Sequence, residues 1–222
     1  ITAWVLATAF LAWRMTASRT IAFFSGAILL TSLGMFTLGR IIMPESWFCA
    51  WITISLAAGF EALQSGGASR RAAVVFWSAC ALACFTKGWH GLLLPVVILT
   101  TACAVLAMAR RARAPLAALR GILLSPPGWA VFVLVNLPWL LWIEFRFPGF
   151  LRHFFLAEGL GHVTGSDAPD TRYSGTSRPA FLILHGVWLF PWILVFLCAI
   201  PGWWRGGSKA INPARALLWC WF

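Results

Sequence analysis

The 222-residue chain is 61% hydrophobic and only 10% charged, with a net charge of +11 at pH 7 and a mean hydropathy of +0.84. A soluble domain usually holds about 25% charged residues, so this composition excludes a soluble globular protein and points to an all-α, multi-pass integral membrane protein. The excess of positive charge does not indicate nucleic acid, because the basic residues are scattered between hydrophobic runs instead of forming one stripe.

A helix that crosses the hydrocarbon core needs roughly 20 mostly apolar residues. Taken in order, the apolar runs predict spans over 1–13, 20–38, 46–63, 71–86, 91–109, 127–144, 180–202 and 211–222. All belong to one transmembrane domain over 1–222, with about six full spans and a truncated one at each end. The first run starts at Ile1 with no charged n-region or cleavage site before it, so it does not read as a signal peptide. The expectation is a fragment of a longer protein. Pro95, Pro138 and Pro191 interrupt spans, which is tolerated where neighbouring helices satisfy the freed backbone groups. Cys49, Cys80, Cys84, Cys103, Cys198 and Cys220 all fall in apolar runs without zinc spacing, and they read as packing residues.

The loops orient the chain. One alternate set carries Arg14 and Arg19, Arg70 and Arg71, Arg110, Arg111, Arg113 and Arg120, then Arg205 and Lys209. The other carries Arg40, Lys87, Arg146, Arg152, Arg172 and Arg178. The larger set is expected to face the cytoplasm. That places Glu45, Glu144, Glu158, Asp167, Asp170 and all four histidines on or near the outer side, with Glu61 alone near the inner one. The one long loop, 145–178, is then extracytoplasmic. Its first part, from Phe147 to Glu158, reads as a short amphipathic helix in the interface, with Leu151, Phe154, Phe155 and Glu158 on one face. Gly165 to Ser177 is polar and contains proline, as flexible loops do.

Three outer clusters could carry chemistry. The first is Arg40 with Met43-Pro44-Glu45, and the second is Thr86-Lys87-Gly88-Trp89-His90. The third is the long loop, with Glu144, Arg146, Glu158 and His162. Lys87 could simply snorkel to the interface. As the only lysine on the outer side it also suits a phosphate, with flanking glycines that would let a head group approach the backbone. Glu45 could merely complement a helix dipole after Pro44. His90, His153 and His185 read as structural hydrogen-bonding residues, not metal ligands.

These residues resemble a family. Arg40-x3-Pro44-Glu45 is similar to the Arg…Pro-Asp motif of polytopic glycosyltransferases that use polyprenyl-phosphate sugars, and Thr86-Lys87-Gly88-x2-Gly91-Leu-Leu-Leu-Pro95 is similar to their Thr-Lys-Gly…Gly-Leu-Leu-x-Pro segment. Leu137-Pro138-Trp139 and the run from Pro148-Gly149-Phe150 through Phe154-Phe155, Glu158 and His162 resemble their Pro-Trp…Pro-Gly-Phe…Phe-Phe-x-Glu-Asn-x-x-Arg loop, and Pro191-Trp192 a further Pro-Trp element. The group is that of the aminoarabinose lipid A transferases and protein O-mannosyltransferases, of GT-C fold. Glu45 stands where the family usually has aspartate, Gly159 where it has asparagine, and His162 where it has arginine.

The resemblance implies transfer of a sugar from a polyprenyl-phosphate donor to a lipid, glycan or protein acceptor at the outer face of a bacterial inner membrane. Lys87, Arg40 and His162 would bind the donor phosphate; Glu45, Glu158 and His90 would orient substrate. The general base is expected upstream of Ile1. No metal or cofactor is expected, the lipid-linked donor being a substrate, and membrane lipids are the remaining partners. The alternative is a multi-pass transporter or a non-catalytic lipid-binding membrane protein.

Overall fold

The computed structural model describes residues 1–38, 40, 44–67, 69–154, 156, 177–205 and 212–221. Among these residues the regular structure is entirely helical, as expected of an all-α multi-pass membrane protein.

Short polar residues set the helix boundaries. Helix α1 (Thr2–Thr16) ends at Ala17, whose φ of 56° stops it, and Ser18 opens α2 (Arg19–Thr31) by accepting the Ile21 N–H. Helix α3 (Leu33–Leu38) follows after one residue. Pro44 precedes α4 (Glu45–Ser65), which closes on the left-handed Gly66. Ser69 caps α5 (Arg70–Lys87) through the Ala72 N–H. Helix α6 (His90–Arg110) follows a tight turn and contains Pro95. After α7 (Ala114–Leu123), Ser125 caps α8 (Pro126–Arg146) through the Gly128 N–H. The remaining helices are α9 (Phe150–Arg152), α10 (Arg178–Trp188), α11 (Trp192–Arg205) and α12 (Pro213–Trp221).

Three features depart from the runs read in the sequence. The cytoplasmic loop expected after 109 contains the separate helix α7. The run 20–38 breaks at Ser32, and the run 180–202 breaks into α10 and α11, bent by 113°. The two breaks meet. Leu33 N–H donates to Phe190 O at 2.8 Å, and the Trp192 indole donates to Thr31 Oγ1 at 2.8 Å. A Cβ at Gly34 would stand 2.9 Å from that of Trp188, so glycine is what lets the segments touch. Polar groups released by one break are consumed by the other, as an apolar environment requires.

Helix α5 is the hub. Ala72, Ala73, Phe76, Trp77, Ala79, Cys80, Ala81 and Ala83 are all buried along it, enclosed chiefly by α4, α6 and α8. Its alanines let backbones approach closely, the packing device that membrane helices use in place of a hydrophobic driving force. Large apolar side chains point outward instead: Phe23, Leu134 and Leu182 are each at least 70% exposed, as lipid-facing residues are. Among the described residues, three stretches are long and apolar enough to cross a membrane: Glu45–Ser65, His90–Arg110 and Ala114–Arg146. The bent pair Leu182–Trp188 and Trp192–Ile200 makes a fourth if it counts as one span.

Two ion pairs mark opposite ends of α4. Arg14 Nη2 lies 3.8 Å from Glu61 Oε2, and Lys87 Nζ lies 2.7 Å from Glu45 Oε1. Glu45 and Glu61 are roughly 24 Å apart along a helix rising 1.5 Å per residue. One end of the bundle therefore gathers Glu45, Lys87 and His90 together with the C-terminus of α8.

Candidate functional site

The α5–α6 turn sets the geometry. Gly88 N–H donates back to Cys84 O at 2.7 Å, and Gly91 N–H to Gly88 O at 3.0 Å, so the chain reverses within two residues. Gly88 has φ 66°, a left-handed value that favours glycine. It is also covered: a Cβ there would stand 2.6 Å from Cζ of Phe154. A Cβ on Gly91 would overlap the backbone of Ala83 and Cys84. Both glycines are buried. They serve the close packing of the hairpin and its roof; the exposure of backbone to a head group expected from the sequence is not what they provide.

The turn leaves Lys87 at the edge of the bundle, where its ammonium meets Glu45 Oε1 and lies 5.9 Å from the centroid of the Phe48 ring. Glu45 starts α4, so its charge also suits the helix dipole. The side chains are 39% and 27% exposed, and a pair so accessible to water is worth about 1 kcal/mol or less. An ammonium has three donors, so this partner can be exchanged for another oxyanion, or joined by one. Glu45 Oε2 is buried and has no hydrogen-bond partner.

Beside Lys87 opens a cavity of about 370 Å³. Its walls are mainly apolar and aromatic, with Phe85, Trp89, Phe132 and Trp139 among them; Thr86, Lys87 and Asn136 contribute polar groups. The Thr86 hydroxyl donates to Leu82 O at 2.6 Å and the Asn136 amide to Phe132 O at 3.0 Å, so Lys87 supplies the charge. Phe150 and Phe154, stacked with centroids 5.6 Å apart, close the cavity from above.

Glu144 holds that roof. Its two carboxylate oxygens accept the Gly149 and Leu151 N–H groups, each at 2.8 Å, binding the start of α9 to the end of α8. Sequence reasoning placed Glu144 and Trp89 in outer clusters without these roles, read Phe154 as part of an interfacial helix and a family motif, and gave Asn136 no part in a site. The signal for Glu144 was present in its spacing, an acid five residues before the glycine of a Pro-Gly turn. The cavity wall had no such signal, since aromatic residues are abundant throughout the chain.

Of the other predicted residues, Arg40 and His90 do not line the cavity. Arg40 places its guanidinium 4.1 Å from the centroid of the Phe36 ring, and it belongs to neither of the ion pairs at the ends of α4. His90 is the first residue of α6, with its ring centroid 4.6 Å from that of Trp89. Glu158 and His162, with most of loop 145–178, lie outside the described residues. Among the described residues no three His, Cys, Asp or Glu side chains converge as a metal-ion set.

Comparison with known proteins adds to this geometry. The family model for dolichyl-phosphate-mannose-protein mannosyltransferase matches residues 1–154, a stretch that includes Arg40, Glu45, Lys87 and His90. The chain is similar to the undecaprenyl phosphate-alpha-4-amino-4-deoxy-L-arabinose arabinosyl transferase 2 of Proteus mirabilis, 28% identical over 214 residues, covering 96% of the chain and 36% of the relative. A transferase of the same description from Pseudomonas paraeruginosa is 33% identical over 182 residues, covering 78% of the chain and 29% of the relative. The chain thus spans about a third of the length of the curated relatives it matches. No solved structure matches it.

Proposed function

Because the chain belongs to the dolichyl-phosphate-mannose-protein mannosyltransferase family, we propose that its protein is a membrane glycosyltransferase using a polyprenyl-phosphate sugar donor. The acceptor is a lipid, glycan or protein, and transfer occurs at the extracytoplasmic face, in bacteria the periplasmic side of the inner membrane. The observation that carries the reading is the cavity itself. An apolar, aromatic slot with one exchangeable ammonium at its rim fits a lipid chain that ends in a phosphate. The relatives' names, which specify an undecaprenyl-phosphate-linked aminosugar, support the same class of donor.

In the proposed reaction the acceptor oxygen attacks the anomeric carbon with inversion. The bond from that carbon to the phosphate oxygen breaks, and the lipid phosphate leaves with the electron pair. The acceptor proton passes to a carboxylate on a segment upstream of Ile1. A phosphate leaving group needs charge stabilisation more than a proton. Lys87 supplies it, with Arg40 and His162 assisting. Glu45 holds Lys87 in position before the phosphate arrives and orients substrate from there. Glu158 and His90 take the remaining orienting roles.

Transfer from a labelled undecaprenyl-phosphate sugar, measured in membranes containing the complete protein, tests this. Lys87→Ala is expected to lose at least tenfold in rate at equal expression. Full activity in that variant would refute the phosphate assignment. The transporter alternative gains a bent helix pair, but Phe190 O and the Trp192 indole at that break are already paired with Leu33 and Thr31 beside the Ser32 break.

A further inference from the structure

Arg120 sits inside an apolar span, on the face turned away from the bundle. The stretch Ala114–Arg146 is long and apolar enough to cross a membrane, and no charged residue lies between Arg120 and Glu144. Helix α7 opens this stretch at the arginine-rich end: a Cβ on Gly66, which closes α4, would lie 3.9 Å from that of Ala114. Ile122 O accepts the indole N–H of Trp77, seven residues beyond Arg70 in α5. Helix α7 therefore reaches roughly 10 Å past the start of α5, at about 1.5 Å per residue. Its two faces differ. Pro115, Ala118 and Ile122 are buried against the bundle, whereas Arg113, Leu116, Ala117 and Arg120 are exposed at i, i+3, i+4 and i+7. Leu116 is 42% exposed, and Leu124, just past the helix, is 67% exposed. Leucines turned outward suit hydrocarbon, and a cation among them is costly without an anionic partner. Arg113 and Arg120 belong to neither of the ion pairs at the ends of α4. Glu61, the described acid at this end, already faces Arg14 at 3.8 Å.

We propose that Arg113 and Arg120 hold the phosphate of an anionic phospholipid in the leaflet at this end of the bundle, with its acyl chains along Leu116 and Leu124. Chemistry and charge select the ligand. A guanidinium pairs with phosphate through a planar fork of donors, and a phospholipid is the phosphate that an outward-facing span meets. Arg19, Arg70, Arg71 and Arg111 are exposed at the same end, so the ammonium of a zwitterionic head group is repelled there while a net negative head group is drawn in. Arg120 lies two turns along α7 from Arg113 and reaches back toward the head-group layer, as long basic side chains do. A cation at that depth goes beyond the loop bias that orients membrane proteins, because it fixes where along the bundle one head group sits. The site is at the opposite end from Lys87 and does not depend on what the cavity there binds.

The test titrates the complete protein in detergent with dioleoylphosphatidylglycerol or dioleoylphosphatidylcholine and counts bound lipids by native mass spectrometry. Wild type is compared with Arg113→Gln, Arg120→Gln and Arg19→Gln. Wild type is expected to bind its first phosphatidylglycerol more tightly than phosphatidylcholine; equal affinity would overturn the proposal. Arg113→Gln and Arg120→Gln are each expected to weaken phosphatidylglycerol about fivefold and to leave phosphatidylcholine unchanged. Arg19→Gln removes a cation from the same end but not from α7, and should change neither lipid. If it weakens phosphatidylglycerol as much as the α7 variants do, the general field of that end is responsible and the site does not exist. Inorganic phosphate should fail to displace the bound lipid; displacement would mean a plain anion site. In phosphatidylcholine alone, Arg120→Gln should melt no lower than wild type. A lower melting temperature with unchanged lipid binding would show that Arg120 pairs within the protein, and would overturn the assignment.

Discussion

Gly91→Ala offers a sharp test of how the site is built. Gly91 sits in the first turn of α6, where an added Cβ would lie 2.7 Å from Ala83 O and closer still to Ala83 C and Cys84 N. All three are backbone atoms of α5 and cannot rotate away. Carbon atoms rest at about 3.5–4.0 Å from their neighbours, so the start of α6 must retreat from α5 by roughly 1 Å. Overpacking of this kind costs about 1–3 kcal/mol. Alanine recovers up to about 1 kcal/mol as a better helix former than glycine, leaving a net loss of up to about 2 kcal/mol when that gain is full. In a chain of this size that lowers the melting temperature by up to roughly 8 °C. The displaced turn carries Lys87 and Trp89 with it, because Gly91 N–H is bonded to Gly88 O and Leu93 N–H to Trp89 O, each at 3.0 Å. Misplacement by about 1 Å can cost up to 100-fold in rate, so sugar transfer should fall further than stability does. Gly186→Ala is the control: nothing lies within 4 Å of its Cβ position, and the substitution should be neutral or stabilising. Thermal melts in detergent and a transfer assay read both variants. If Gly91→Ala melts at or above wild type with unchanged transfer, the close α5–α6 approach is not what positions Lys87.

Three further outcomes follow from the same geometry. Glu144→Ala removes both acceptors that hold Gly149 and Leu151, so the Phe150–Phe154 roof should loosen and raise KM for the lipid donor more than it lowers kcat; a fall in kcat alone would contradict a roofing role. Trp77→Phe removes the indole donor from Ile122 O, which keeps the weaker Ser125 N–H at 3.3 Å, and shrinks a side chain that is only 1% exposed; at a cost of about 1–3 kcal/mol it should melt lower than Trp129→Phe, whose side chain is 41% exposed. A double-mutant cycle on Lys87 and Glu45 should return a coupling of about 1 kcal/mol or less; several kcal/mol would mean that Glu45 grips Lys87 too firmly to yield it to a phosphate.

The amino-acid sequence was enough to establish the class of the protein. Too few charged residues exist to cover a soluble surface, and the apolar runs around 46–63, 91–109 and 127–144 became helices with ends within a few residues of those read. Composition and run length depend on the solvent each residue faces, which is a local property. The motif from Thr86 to Pro95, together with its companions, was also sufficient for the family, because a short ordered string of residue types needs no three-dimensional context to be recognised.

Contacts between distant segments were another matter. Glu45 and Lys87 are 42 residues apart, and each had a satisfactory local explanation, one as a helix-start acid and the other as a snorkelling lysine. Only the antiparallel packing of α4 against α5 makes them a pair at 2.7 Å. The glycines show the same division. Their presence at 88 and 91 was plain, but whether they opened the backbone to a ligand or to a neighbouring segment depended on where Phe154 and the Ala83–Cys84 backbone came to lie. The break at Ser32 was hidden within a continuous apolar run, and Pro191 marked an interruption but not a bend of 113°, because each break depends on the other for the partners of its backbone and side-chain groups. Hydrophobicity is read residue by residue, whereas hydrogen bonds and steric fit are properties of pairs, and the pairs that form this cavity come from three helices and a roof that only the fold brings together.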